Sequence, residues 1–130
     1  MLDSSRADAS EIANAYNRRE LLVGRELDVR RFRPNIVIRL LRHHPFEEDN
    51  WLGGVLVFGE PGEGPRVSVT MRDVRCSMVN FDPDSGRADP EVLKSIVRAH
   101  QNTAGVYGTV IRGGRLAIGQ SVRLERLVEM

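Results

Sequence analysis

The chain has 130 residues, of which 41% are hydrophobic and 28% are charged, a composition typical of one folded domain. Nineteen basic residues stand against eighteen acidic ones, and this near balance argues against a general nucleic-acid-binding protein. The single cysteine, Cys76, excludes an intramolecular disulfide and a metal site built from several cysteines. The first residues form no signal-peptide core and no apolar stretch could span a bilayer, so we expect a cytoplasmic protein with no membrane partner.

Two segments show the spacing of amphipathic helices. Residues 10–19 place Ile12 and Tyr16 on one side of a predicted first helix. Residues 90–100 follow Asp89, a favourable N-cap, and begin with a proline, which suits the first helical position. The second helix is predicted to bury one apolar stripe and to expose Lys94 on the opposite side. The stripe consists of Leu93, Ile96, Val97 and His100, with Val92 at its edge.

The remaining sequence is predicted to form short strands, because Val, Ile and aromatic residues cluster between turn signals. The predicted strands are residues 27–32, 35–41, 54–58, 66–71, 75–81, 105–111, 115–118 and 120–127. Residues 82–86 have the composition of a tight turn, and the glycine pair at 113–114 predicts a hairpin. We therefore expect a mainly β domain over residues 10–127: a closed or partly closed antiparallel β-barrel with one or two peripheral helices, after a frayed N-terminal segment, residues 1–9.

Cys76 is the first candidate for chemistry. If residues 67–81 formed one uninterrupted strand, Cys76 would lie on its more polar face, near Arg72 and Arg75. Positive charge near a thiol favours the thiolate, which is both a nucleophile and a ligand for soft metals. The alternative interpretation is a free cysteine that packs as a small buried residue.

Arg33 and Asn35 are the second candidate, because they flank a proline that restricts the backbone between them. A guanidinium and an amide at such a corner suit a phosphate or a carboxylate. The neighbouring arginines are predicted to be solvated strand charges paired with acids such as Asp28. They are Arg30, Arg31, Arg39 and Arg42. No stacking series of aromatic residues accompanies them, so nucleic acid is not the expected partner.

Two further features are interpreted as structural. The adjacent His43 and His44 lack spaced Cys or His partners, so a zinc site is not expected there. Trp51 stands at the start of a predicted strand and is expected to belong to the core or its rim.

Five sequence blocks, in order, resemble the MOSC domain family, named after the C-terminal domain of molybdenum cofactor sulfurase. They are RFRPNIVI at 31–38, PFEEDNW at 45–51, RC at 75–76 with DPDSG at 82–86, GVY at 105–107, and Gly114 with IGQSV at 118–122. The resemblance implies a β-barrel fold. It also implies that Cys76 carries sulfur as a persulfide or ligates molybdenum, and that Arg33 and Asn35 contact molybdenum cofactor. Pyridoxal phosphate has also been proposed for this family, but a Schiff base would need Lys94, which the helical pattern places in solvent.

Three hypotheses for function follow from the resemblance. The first is a stand-alone MOSC domain that binds molybdenum cofactor or delivers sulfur to a molybdenum centre, and whether it is an enzyme is left open. The second is a non-catalytic accessory module that docks on a larger molybdenum enzyme or cofactor-supply protein and exposes an apolar patch. The third is a degenerate barrel with a buried Cys76 and no pocket.

Overall fold

The structure is a computed structural model that describes residues 9–14, 27–42, 44–60, 62 and 64–126. Within these residues it contains six strands, one α-helix and three short 3₁₀ helices. In chain order they are β1 (Ala9–Asn14), the first 3₁₀ helix (Val29–Phe32), β2 (Ile36–Ile38), the second 3₁₀ helix (Glu47–Trp51), β3 (Val55–Phe58), β4 (Arg66–Val74), the third 3₁₀ helix (Ser77–Asn80), α1 (Glu91–His100), β5 (Thr103–Arg112) and β6 (Val122–Glu125).

The described strands form one sheet in the order β2-β1-β5-β4-β3-β6. Strands β1 and β2 pair in parallel, and the other four neighbouring pairs are antiparallel. The sheet curls into a half-barrel, so its two edge strands face each other across an opening of about 520 Å³ that residues of both line. The prediction of a mainly β, partly closed barrel with a peripheral helix is confirmed, with one parallel pair in a largely antiparallel sheet.

A first hydrophobic core fills the concave side of the sheet. Its most buried members are Ile12, Val69 and Val106, and Trp51 belongs to the same cluster with 5% of its surface exposed. Burying this many aliphatic side chains is the main source of the free energy that holds the sheet curled. The expectation that Trp51 belongs to the core is confirmed.

A second core lies between α1 and the first and third 3₁₀ helices. Val92 and Ile96 are fully buried on α1 and contact Phe32 and Val79 in this cluster. The predicted helix over residues 90–100 is confirmed within one residue, and Asp89 accepts a hydrogen bond from the N–H of Glu91 at 3.1 Å, as a capping residue should. The predicted stripe is displaced, however: Val97 is 51% exposed, because the buried face is centred on Val92 and Ile96.

Several predicted elements are wrong for identifiable reasons. Residues 10–14 of the first predicted helix belong to β1. Consecutive residues are buried there because both faces of the strand are covered: Ile12 packs in the first core, and Ala13 lines a small cavity with Phe32 and Arg75. The alternation typical of a strand is therefore missing; residues 15–19 lie outside the described residues. The predicted strands 27–32 and 75–81 contain 3₁₀ helices. No hairpin forms at 113–114 and no strand at 115–118 within the described chain, because β5 pairs with β1 and β4 whereas β6 pairs with β3.

No helix in the described residues could cross a membrane.

Candidate functional site

Cys76 lies where β4 gives way to the third 3₁₀ helix. Strand β4 ends at Val74, Cys76 directly precedes Ser77, and the cysteine is exposed. The assumption of one uninterrupted strand over 67–81 is therefore wrong. The pairing of β4 with β5 is irregular after Val69 and again after Arg72, and the chain then leaves the sheet. The thiol is accessible and is not the small buried residue of the alternative interpretation.

Cys76 shares a cavity of about 200 Å³ with Arg33, which we call the thiol cavity. Arg33 ends the first 3₁₀ helix with a left-handed backbone (φ 49°), a conformation that is uncommon outside glycine and that clusters at functional sites. Among the described residues no carboxylate pairs with Arg33. The cavity is lined by Glu11, Arg31, Phe32, Arg33, Asp73, Val74, Arg75, Cys76, Met78, Val79 and Tyr107.

A second cavity, of about 470 Å³, adjoins the first, since Arg31 and Arg33 line both. We call it the loop cavity, because residues 82–86 form its other wall. Asp82 Oδ1 accepts hydrogen bonds from the N–H groups of Ser85 (2.8 Å) and Asp84 (2.9 Å), as the predicted turn requires, and these bonds hold the pKa of Asp82 below its ordinary value.

The arginines around the loop cavity differ in their partners. Arg30 pairs with Asp28 at 2.7 Å and with Asp84 at 2.9 Å, which confirms its predicted pairing with an acid. Arg31 is 9% exposed and donates to the carbonyls of Asn80 (2.9 Å) and Val79 (3.3 Å), so the prediction that it is solvated is wrong. Its predicted pairing with an acid is confirmed, since its Nη2 lies 3.7 Å from Asp82 Oδ2. Its guanidinium joins the first and third 3₁₀ helices by satisfying backbone acceptors that have no strand partner.

Arg75 is a second buried guanidinium and fixes the inner wall of the thiol cavity. Its Nε donates to the carbonyl of Ala104 and its Nη1 to the carbonyl of Phe32, both at 2.8 Å. Its Nη2 lies 3.0 Å from Asp73 Oδ2. Arg75 thus ties the end of β4 to β5 and to the first 3₁₀ helix, which carries Arg33.

The positive charge expected around Cys76 is therefore distributed differently from the prediction. Arg75 is paired with Asp73, and Arg72 Nε lies 3.6 Å from Asp49 Oδ1. Arg33 is the cation of the thiol cavity that lacks an acidic partner among the described residues.

Asn35 has a different position from Arg33. Its N–H donates to the carbonyl of Glu11, and its Oδ1 accepts from the N–H of Glu11, both at 2.8 Å. Asn35 is not among the residues that line the two cavities. It holds the main chain of Glu11, whose side chain lines the thiol cavity, so its contribution to the cavity passes through β1.

Three residues of the thiol cavity were missed by sequence reasoning: Asp73, Glu11 and Tyr107. Asp73 is 1% exposed. Burial raises its pKa to about 6, with Arg75 opposing and the neighbouring Glu11 adding to the rise. Tyr107 donates to Glu11 Oε1 at 3.1 Å, and burial next to Asp73 and Glu11 raises its pKa to about 12.

One of these residues left a signal in the sequence. In the sequence Asp73 continues the alternation of Val67 and Val69, so an acid at that position was a signal, although the irregular pairing of β4 breaks this alternation in the structure and leaves Met71 exposed. Glu11 left none, because the pattern around it predicted a helix. Tyr107 stands in the GVY block, to which no role was attached.

Comparison with known proteins gives one finding of relatedness. The family model described as MOSC domain matches residues 4–123. No curated protein matches the chain.

Proposed function

The chain belongs to the MOSC domain family, and from that premise we propose that it binds molybdenum cofactor or carries sulfur to a molybdenum centre, with Cys76 as the working thiol. One observation carries the proposal: the exposed thiol of Cys76 and the guanidinium of Arg33, which has no acidic partner among the described residues, line the same cavity. The single cysteine suits a reducing compartment, and we place the protein in the cytoplasm.

The residues around the cavity fit the proposed cofactor chemically. Thiolate sulfur is a suitable ligand for molybdenum, and Cys76 supplies it at the mouth of the thiol cavity. The phosphate of the cofactor calls for a planar fork of N–H donors, and Arg33 presents one to both cavities. The molybdenum centre, when bound, would supply the oxygen or sulfur transfer chemistry.

The chain's own residues have distinct tasks in this proposal. Cys76 holds the sulfur or the metal, and Arg33 binds the anionic part of the cofactor. Arg31 and Arg75, both buried, keep the backbone around them in place. Asn35 acts one step removed, because its N–H and its side-chain Oδ1 each make one hydrogen bond to the main chain of Glu11.

Lys94 has no part in this proposal. It is exposed on α1, lies 3.7 Å from Glu91, and lines neither the thiol cavity nor the loop cavity. A Schiff base with pyridoxal phosphate would therefore form outside the site, and we do not propose that cofactor.

Cofactor binding is tested by measuring molybdenum and pterin content after purification from a host that makes the cofactor. We expect molybdenum in the wild type and its loss in Cys76→Ser. In Arg33→Lys we expect content lower by about tenfold or more, since one charge-assisted hydrogen bond contributes about 1.5–3 kcal/mol. Arg39→Lys is the matched control, because Arg39 lies on the opening between β2 and β6. Equal content in Arg33→Lys and Arg39→Lys would contradict the assignment of Arg33.

Sulfur carriage is tested separately with inorganic polysulfide. Mass spectrometry should show the mass of one added sulfur atom on the peptide that contains Cys76, and the addition should be reversed by a reducing agent. Because Cys76 is the only cysteine, Cys76→Ser is a complete control. A wild-type chain that acquires neither sulfur nor molybdenum would overturn the proposal.

A second candidate function is that of an accessory module, and a specific observation favours it. Apolar side chains are exposed around the opening between β2 and β6: Val37, Leu41, Leu116, Ile118 and Leu124. A patch of this kind suits a partner protein, here a molybdenum enzyme or a cofactor-supply protein. Co-elution with such a purified partner, abolished by Ile118→Asp and unaffected by Cys76→Ser, would support docking without chemistry. The third hypothesis, a degenerate barrel, requires a buried Cys76, but Cys76 is exposed, so we do not propose it.

A further inference from the structure

The opening between β2 and β6 is one end of a continuous apolar groove. Its cavity of about 520 Å³ adjoins a second cavity of about 320 Å³, since Ile38 and Val122 line both. Ile118 and Leu41 border these cavities with fully exposed side chains, and Val37 is half exposed. We call this continuous surface the β2–β6 groove. An exposed apolar groove of this kind is typical of a site that binds another polypeptide.

Strand β6 directs a row of backbone groups toward this groove. The N–H of Gly59 donates to the carbonyl of Ser121 at 2.8 Å, and the register of these two residues continues into the paired strands β3 and β6. The direction of hydrogen bonding alternates along an antiparallel strand. The N–H and C=O groups of Val122 and Leu124 therefore point away from β3, where no described strand pairs with the sheet. Such an edge is a template for an added strand.

The rim of the groove is basic. Arg39 and Arg42 line it beside β2, and Arg123 lines it from β6. Arg123 lies 3.6 Å from Glu125, whereas Arg39 and Arg42 have no acidic partner among the described residues. Three arginines against the single lining acid of the described chain, Glu47, leave the rim positive. The groove therefore favours a ligand that carries acidic side chains.

We propose that the β2–β6 groove binds an extended, acidic segment of a partner protein, which adds to the sheet as a strand beside β6. The backbone of this segment pairs with the outward N–H and C=O groups of Val122 and Leu124. Its apolar side chains pack in the groove, and its alternate, acidic side chains face Arg39 and Arg42. This inference rests on the second candidate function and states the chemistry that the interacting partner must present.

A second copy of the chain fits the groove less well than an acidic partner. In a two-fold dimer the same surface meets itself, so the arginines of one rim would approach those of the other. Like charges that face each other across an interface cost free energy. Strand β6 itself carries both Arg123 and Glu125 and is not an acidic segment.

The fluorescence of Trp51 gives a local readout of binding, because Trp51 is the only tryptophan of the chain and lines the groove. The probe is a synthetic peptide of about eight residues in which valine and isoleucine alternate with glutamate. We expect saturable binding to the full chain that weakens as salt is added, because the charges of the rim are exposed. A matched peptide with lysine in place of glutamate should bind at least about tenfold more weakly.

Charge reversal separates recognition from folding. In the double variant Arg39→Glu with Arg42→Glu the preference should invert, so that the lysine peptide binds more tightly than the glutamate peptide. Arg87→Glu reverses an exposed arginine that lines neither the groove nor the thiol cavity, and it should keep the wild-type preference. A folded double variant that still prefers the glutamate peptide would overturn the role of the basic rim. Equal binding of the two peptides by the wild type would overturn it without any variant.

Backbone pairing is tested on the wild type by changing the peptide alone. Methyl groups on every second backbone nitrogen of the glutamate peptide, in either of two phases, remove hydrogen-bond donors without changing its charge or side chains. At least one phase should abolish binding, because β6 presents its outward groups on alternate residues. Retained binding of both methylated peptides would overturn strand addition.

Cys76→Ser separates this inference from sulfur and cofactor chemistry. Among the described residues, none that lines the groove also lines the thiol cavity, so the variant should bind the glutamate peptide as the wild type does. Peptide binding by a wild type that takes up neither molybdenum nor sulfur would refute the thiol proposal and retain the groove. Absence of peptide binding would refute the groove and leave the result at Cys76 standing. A wild type that dimerises and excludes the peptide would assign the groove to a second copy and overturn the acidic partner.

Discussion

The stability of the fold should depend on pH through Asp73, and this dependence can be isolated by Asp73→Asn. Folding raises the pKa of Asp73 from 3.8 to about 6, mainly because the carboxylate is removed from water. The folded chain therefore binds this proton more tightly than the unfolded chain. Its contribution to the free energy of unfolding is complete below the unfolded value and is lost as the pH rises through about 6.

The magnitude follows from the difference between the two pKa values. About two pH units at about 1.4 kcal/mol each correspond to roughly 3 kcal/mol. Asp73 is 1% exposed, so solvent screening reduces this value little. Between pH of about 4 and about 7, the wild type should lose this amount relative to Asp73→Asn.

Urea unfolding followed by circular dichroism at several pH values measures the effect. Asp73→Asn is expected to be less stable than the wild type overall, because Arg75 loses its buried partner, so the comparison concerns slopes and not absolute values. Asp84→Asn, an exposed acid, should keep the wild-type slope. Identical slopes in the wild type and Asp73→Asn would refute a raised pKa at Asp73.

Two further predictions concern packing. Gly105→Ala should cost more than about 1 kcal/mol in urea unfolding, because Gly105 has φ +86° and a Cβ there would lie 2.8 Å from the carbonyl oxygen of Ile12. Gly113→Ala, whose Cβ would meet no atom of the described residues within 4 Å, should cost far less, and equal losses would contradict this. Trp51→Ala should cost about 3–5 kcal/mol, as expected for a large buried aromatic residue, whereas the fully exposed Leu41→Ala should change stability by less than about 0.5 kcal/mol; a small loss in Trp51→Ala would remove it from the core.

Local signals in the sequence were sufficient for part of this structure. Helix α1 could be predicted because Asp89 can accept a hydrogen bond from its first turn and a proline precedes Glu91. The turn at 82–86 could be predicted because the carboxylate of Asp82 can accept hydrogen bonds from the N–H groups of the residues that follow it. The mainly β character of the chain could be predicted from β-branched residues that cluster between turn signals. The motif residues Cys76 and Arg33 could be identified as candidates from the sequence alone. These features depend on residues a few positions apart, so the sequence contains all of their causes.

The two cores show where local signals fail. The stripe on α1 was displaced toward Val92 because the first and third 3₁₀ helices decide which face is covered. Strand β1 was predicted as a helix because both of its faces are covered, Ile12 by the first core and Ala13 by the region of Phe32, which erases the alternation of a strand. In both cases burial depends on residues far away in the chain.

The candidate site depends even more on tertiary structure. Sequence alone determined that one thiol exists and that Arg33 stands directly before a proline that restricts the backbone. The cluster of Asp73, Glu11 and Tyr107 exists only because the sheet order places β1, β5 and β4 side by side. The irregular pairing between β4 and β5 then precedes the exit of the chain that carries Cys76 to the cavity. A pKa raised by burial cannot be read from neighbours in sequence, because desolvation is a property of the folded surroundings of the group.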